Sequence, residues 1–212
     1  MPRIPLLPQH PADPQAAALF DEVRKARGPD FEMPHLYRVL ATAPAMFRGW
    51  LDFAWPLRQN ARTPRALREL LILRGAQVSG TAYEWAHHLP MAREAGVSQA
   101  QIDALADWSS SPLFDAPQRA ALQLADEVTR GPAASHATVQ QLKQSGFDDA
   151  AVVELVLTAS FYVCVGRFLQ SMDIELEPGY DAPSPSLAAA EAPPAANPPL
   201  DPVHRTQERT PR

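Results

Sequence analysis

The chain has 212 residues, 46% of them hydrophobic, with a formal net charge of −5 and a single cysteine. That length is enough for one substantial core, as one domain or two small ones. The slightly acidic balance and the lack of any Lys/Arg block exclude nucleic acid as an expected partner. Cys164 has no second cysteine to pair with, so dithiol chemistry within one chain is excluded too. Set among Phe161, Tyr162, Val163 and Val165, it is expected to be buried and inert. No apolar run approaches the roughly 20 residues that span a bilayer, and the N-terminus runs into polar, proline-rich sequence. A soluble cytoplasmic protein with no membrane partner is the expectation.

In chain order the elements read as helix after helix. Asp13 or Pro14 opens a helix through Leu19, Phe20 and Val23 that stops at Gly28-Pro29. A second covers about 34–42, and Pro44 opens a third carrying Met46, Phe47, Trp50, Leu51 and Phe53. Thr63-Pro64 reads as an N-cap followed by proline at the first helical position, predicting a helix over 64–78. Gly80 interrupts, and 81–95 forms the next helix up to Gly96. Ser98 and Gln101 form a capping box for a short helix over Ile102 and Leu105. Asp115 starts a helix broken at Gly131-Pro132, Ser135 caps 136–145, and Asp148 caps a long helix to about Met172. No stretch alternates as a strand does, so the fold class is all-α. From 178 to 212 proline, alanine, serine and asparagine dominate, and this segment is expected to be a disordered tail without chemistry, His204 included.

A shift of fifty residues aligns Glu69-Leu70-Leu71-Ile72 with Arg119-Ala120-Ala121-Leu122, and Ala95-Gly96-Val97-Ser98 with Ser145-Gly146-Phe147-Asp148. Two pseudo-repeated helical hairpins are expected from this echo. The chain divides into an N-terminal helical extension (1–35), a core domain (36–125), a C-terminal helical extension (126–177) and the tail (178–212).

Candidate chemistry centres on Glu84-Trp85-Ala86-His87-His88. Glu84 and His88 are four apart and share a helix face, so the carboxylate can orient an imidazole that titrates near neutrality. A helix-surface contact is the bland alternative. On a helical wheel Ala82, Trp85, Leu89, Ala92 and Gly96 form the core face. His88 borders that face, and His87 lies roughly opposite it. Glu69 stands in a helix that is oily on almost every side (Leu67, Leu70, Leu71, Ile72, Leu73), so its carboxylate is expected in partly dry surroundings. An ion pair with Arg65, Arg68 or Arg74 is its structural alternative. Arg74 could hold a ligand carboxylate by a two-pronged hydrogen bond, although a structural role is the simpler reading. Tyr83 could add a phenol if the cleft lies between subunits. A metal at Glu84, His87 and His88 is not expected, because the two histidines point apart and no further ligands are supplied.

These residues resemble the carboxymuconolactone decarboxylase family, which includes the alkylhydroperoxidase D-like proteins. The resemblance is carried by Arg68-Glu69-Leu70-x-Ile72-Leu73-Arg74, by Tyr83-Glu84-Trp85-Ala86-His87-His88, and by Ala92-x-x-Ala95-Gly96-Val97-Ser98 with Ile102. It implies an alkylhydroperoxidase D-like helical bundle that assembles as a homo-oligomer (dimer, trimer or hexamer). In the peroxidase branch Thr81 and Glu84 stand where two cysteines would be, and both thiols are absent here. The decarboxylase branch resembles this chain in its Glu-x-x-x-His and implies loss of carbon dioxide from a small carboxylated lactone, with no cofactor. On that basis His88 is expected to donate a proton, Glu84 to orient it and Glu69 to act as a second acid–base group. Arg74, Tyr83 and His87 are the substrate-binding candidates. The alternatives are an antioxidant relative that has lost its dithiol, or a non-enzymatic oligomeric binding protein.

Overall fold

Glycine, proline and short polar side chains set the helix boundaries. A computed structural model describes residues 2–180; the expected disordered tail therefore lies outside the described residues, apart from Pro178, Gly179 and Tyr180. Among the described residues nine α-helices follow in order: α1 (Pro14–Arg27), α2 (His35–Leu40), α3 (Pro44–Gln59), α4 (Arg65–Ser79), α5 (Ala82–Glu94), α6 (Gln99–Asp103), α7 (Ala116–Arg130), α8 (His136–Gln144) and α9 (Asp149–Met172). No strand occurs among the described residues. The protein is all-α, as its sequence predicts. Asp13, Ser98, Asp115, Ser135 and Asp148 each accept a hydrogen bond from the backbone N–H three residues on, satisfying donors that an N-terminus leaves open.

One cap differs from its expectation. The hydroxyl of Thr63 does not cap α4, because the buried guanidinium of Arg68 reaches back to its oxygen atoms. Glu154 of α9 instead accepts from the backbone N–H groups of Arg62 (3.0 Å) and Thr63 (2.9 Å), fixing the start of α4 to α9.

α4 is the central element and packs most extensively on α7, α5 and α9. Its apolar residues divide between two cores: Leu67, Leu71 and Ile72 join the larger one with α1, α3, α7 and α9, while Leu70, Leu73 and Ala76 join a smaller one with Trp85, Ile102 and Trp108. An oily-all-round helix is buried on all sides, which is how Glu69 comes to be sealed. The internal echo has a structural counterpart. Gly96 after α5 and Gly146 after α8 both adopt φ +94°, a left-handed turn that L side chains rarely adopt, and each leads into a capped helix.

Two expectations for α9 are corrected. By length and composition it is apolar enough to cross a bilayer, but half of that apolar window is buried inside the fold, as in the core helix of a bundle. Cys164 is exposed, not buried. Its neighbours Tyr162 and Val165 face the core, whereas Cys164 falls on the outer side with Ser160 and Arg167.

Candidate active site

Glu69 on α4 and His88 on α5 meet in the interior, 0% and 3% exposed. The Nδ1–H of His88 donates to Oε2 of Glu69 at 2.8 Å, and Arg65, one turn back on α4, forms an ion pair with the other oxygen. Among the described residues Nε2 of His88 makes no hydrogen bond, so the ring has one nitrogen committed and one available. Burial opposes charge on Glu69, yet His88, Arg65 and Arg58 together hold its carboxyl below the usual range. Burial also lowers the pKa of His88, outweighing the pull of Glu69. The pair therefore rests as carboxylate and neutral imidazole, with Nε2 as a free base.

Glu84 behaves differently from its expectation. It does not orient His88, a role that Glu69 takes from the neighbouring helix. Only 3% exposed, Glu84 makes no hydrogen bond or ion pair among the described residues, and its Oε1 is buried without a partner. Burial pushes its pKa well above the ordinary carboxyl value, against the opposing charge of Arg58. Burial thus favours the neutral acid at Glu84 and the neutral ring at His88, one helical turn apart on α5.

The acid side chain fits beneath α9 because residue 166 is glycine. A Cβ there would lie 2.9 Å from Oγ1 of Thr81 and 3.2 Å from Oε2 of Glu84. Gly166→Ala is expected to cost about 1–3 kcal/mol by overpacking. Chemical denaturation would detect the loss, and unchanged stability would show that Glu84 and Thr81 move aside freely.

Two residues complete the site that sequence reasoning missed. Tyr162 on α9 meets His88 edge-on, ring centroids 4.8 Å apart, and Arg58 at the end of α3 donates a long hydrogen bond of 3.4 Å to its hydroxyl. Both are distant in sequence from Glu69 and His88, so no local spacing reveals them. Among the described residues Arg58 has no carboxylate within ion-pair distance. Beside Tyr162, a cavity of about 10 Å³ lined by Ser79, Gly75, Thr129 and Tyr162 has room for about one water. A wider groove of about 510 Å³ along α7, lined by Asp126, Glu127, Arg130 and Ser135, contains none of the predicted site residues.

The three predicted substrate-binding residues are placed elsewhere. Arg74 is a structural pin: it bonds Asp126 on α7 (Nη2 to Oδ2, 3.0 Å), Gln77 (2.6 Å) and the carbonyl of Leu105 (3.0 Å), and Trp108 donates to the same aspartate. Tyr83 and His87 lie on another face of α5, where both donate to Glu177, at 2.7 Å each. The backbone N–H of His35 adds a third bond, at 2.5 Å. Despite partial burial, these donors depress the Glu177 pKa to about 2. Its folded-state pKa thus lies below its unfolded value near 4.5, so its stabilisation is complete above that value. It should be lost as pH falls from about 4.5 toward 2, and Glu177→Gln should flatten the acid limb of the stability profile in that window. An unaltered limb would show that the contact carries no stability.

Residues 44–127, which hold Glu69, Glu84 and His88, match the model of the Carboxymuconolactone decarboxylase family. An uncharacterized protein of Escherichia coli K12, YnjA, is 28% identical over 131 residues, 61% of this chain and 69% of its own. Among solved structures, an uncharacterized peroxidase-related protein with an alkylhydroperoxidase AhpD core from Ralstonia eutropha JMP134 superposes with TM-score 0.70 at 17% identity, over 84% of this chain and 93% of that one. The debrominase Bmp8, solved as a cysteine-to-alanine variant with 2,3,4-tribromopyrrole, gives TM-score 0.67 at 17% identity, over 87% and 94%. At these identities the likeness is one of fold, and the fold is AhpD-like.

Proposed function

We propose that the protein is a cofactor-independent proton-transfer enzyme, a decarboxylase or isomerase acting on a small carboxylated lactone or related acid. The observation that carries this is a buried His88 held at Nδ1 by Glu69 with Nε2 uncommitted, and one turn away on α5 a buried Glu84 carboxyl without a hydrogen bond among the described residues. Burial raises the pKa of Glu84 and lowers that of His88, favouring the neutral form of each. Separated pKa values of this kind assign the acid and the base. The proton donor expected at His88 thus moves to Glu84. In decarboxylation the electron pair of the breaking C–CO₂ bond passes into the conjugated lactone, and Glu84 delivers its proton to the carbon that must receive one. In isomerisation Nε2 of His88 takes a proton from one carbon, and Glu84 supplies one to another. Glu69 fixes the imidazole tautomer and stabilises the imidazolium when it forms, as a buried carboxylate does behind any histidine base.

Arg58, not Arg74, would hold the substrate carboxylate, since its charge faces the site without a carboxylate partner. Neither Glu84 nor His88 lines the small cavity beside Tyr162, and both are buried, so substrate entry would require the long Arg58–Tyr162 contact to part. Thiol-based peroxide chemistry has less support: no cysteine stands at Thr81 or Glu84, and Cys164 is on the outer side of α9. The exposed side chains of Phe53, Val153 and Leu157 on α3 and α9 favour a homo-oligomer, and the cytoplasm remains the proposed setting. A panel of carboxylated lactones and related acids, assayed for carbon dioxide release or isomerisation, tests the proposal. Wild type should turn over at least one of them, and His88→Ala should lose about 10²-fold or more while remaining folded. Equal turnover in that variant would end the assignment.

A further inference from the structure

Glu177 is held as a bound ligand would be. It lies just beyond the end of α9, yet its three donors come from elsewhere: the backbone of His35 at the start of α2, and Tyr83 and His87 on α5. Tyr83 and His87 are four apart, so α5 presents both from one face. Their rings stack with centroids 4.4 Å apart, and Tyr180 covers His87 at 4.2 Å. Tyr83 and Tyr180 make no ring contact with each other among the described residues, so they take opposite faces of the imidazole. The occupant therefore has two parts: a carboxylate in the plane of the imidazole at Nε2, and an aromatic ring lying on its face.

We infer that the Tyr83–His87 face of α5 is a binding site for a small aromatic carboxylate, and that Glu177 and Tyr180 fill it as an internal competitor. An in-plane acid and a face-on ring meet at a steep angle, so the ligand is an arylalkanoate whose acid and ring are joined by a short flexible spacer. The donors owe nothing to the occupant: two sit on a well-packed helix and the third is a backbone amide. The occupant, by contrast, comes from an arm that leaves α9 through a left-handed residue, Asp173. A tethered group of this kind competes at an effective concentration on the order of millimolar. A free acid therefore succeeds when present at that level, or when the arm is withdrawn. Ligand binding here would release Tyr180 from α5. The site is on a different face of α5 from His88, so it stands or falls independently of the proposed proton transfer.

Calorimetric titration of the full chain with 3-phenylpropionate, and with the uncharged 3-phenylpropanamide, tests the inference. Glu177→Ala should bind the acid at least tenfold more tightly than wild type and leave the amide unbound. Adding His87→Ala to it should remove the binding. Tyr180→Ala, which withdraws only the ring and leaves the hydrogen bonds to Glu177 in place, should gain affinity several-fold and gives a second route if Glu177→Ala does not fold. The site would be refuted if neither variant bound the acid more tightly than wild type. It would also be refuted if the amide bound equally well, or if binding survived the loss of His87.

Discussion

Replacing Glu69 with alanine should destabilise the protein by about 3 kcal/mol, seen as a fall in the urea midpoint at unchanged slope. Two losses add up at this position. The Nδ1–H of His88 is left buried without an acceptor, costing about 1–3 kcal/mol, and the removed side chain leaves a hole between α4 and α5. Arg65 moderates the total, because it is partly exposed and can turn to water when its partner is gone. Glu69→Gln keeps the volume and an acceptor but removes the charge, so it should cost less stability. It should nevertheless reduce turnover, since the imidazolium that forms at His88 would lose its counter-charge. A Glu69→Ala protein as stable as wild type would mean that the pair is incidental to the fold.

Replacing Glu84 should act in the opposite direction on stability. A buried carboxyl without a hydrogen bond is a cost, and an apolar side chain of similar length removes it. Glu84→Met should therefore raise the melting temperature by a few degrees, about 2–4 °C per kcal/mol for a chain of this size, while abolishing turnover. Stabilisation on removal is the mark of a residue retained for function. The pH dependence makes this specific. The folded-state pKa of Glu84 lies above its unfolded value, so the unfolded chain ionises first as pH rises past about 4.5. Wild type should lose stability over that rise until the folded-state pKa is passed, and Glu84→Gln should not. The gap between the two proteins should widen with pH. A constant gap would mean that Glu84 titrates normally.

Much of the fold was legible because its signals are local. Asp13, Ser98, Asp115, Ser135 and Asp148 announce their helices through side chains that bond within three residues, and Gly96 and Gly146 mark turns that few other residues make. The burial of Glu69 was equally readable, because an oily surround on every side of one helix leaves a carboxylate nowhere to go but the interior. The partner of His88 was misassigned for a physical reason. Spacing on α5 places Glu84 on the same face as His88, but a carboxylate from the adjoining α4 reaches the imidazole first. Arg58 and Tyr162 come from α3 and α9, and only packing brings them to His88. Cys164 misled because its apolar neighbours belong to a helix wider than the core it covers. Arg74, Tyr83 and His87 have the right chemistry for a substrate, yet Asp126 and Glu177 already engage them across long stretches of chain.

The proposed proton transfer requires one buried site to hold a protonated acid, Glu84, and an unprotonated base, His88. Carbon-13 NMR of the Glu84 carboxyl, with nitrogen-15 NMR of the His88 ring, followed across pH, measures both groups in the folded protein. The expected result at pH 7 is a protonated Glu84 carboxyl, with the His88 proton on Nδ1 and none on Nε2. An ionised Glu84 with an ordinary titration, or a doubly protonated His88 ring at that pH, would contradict it.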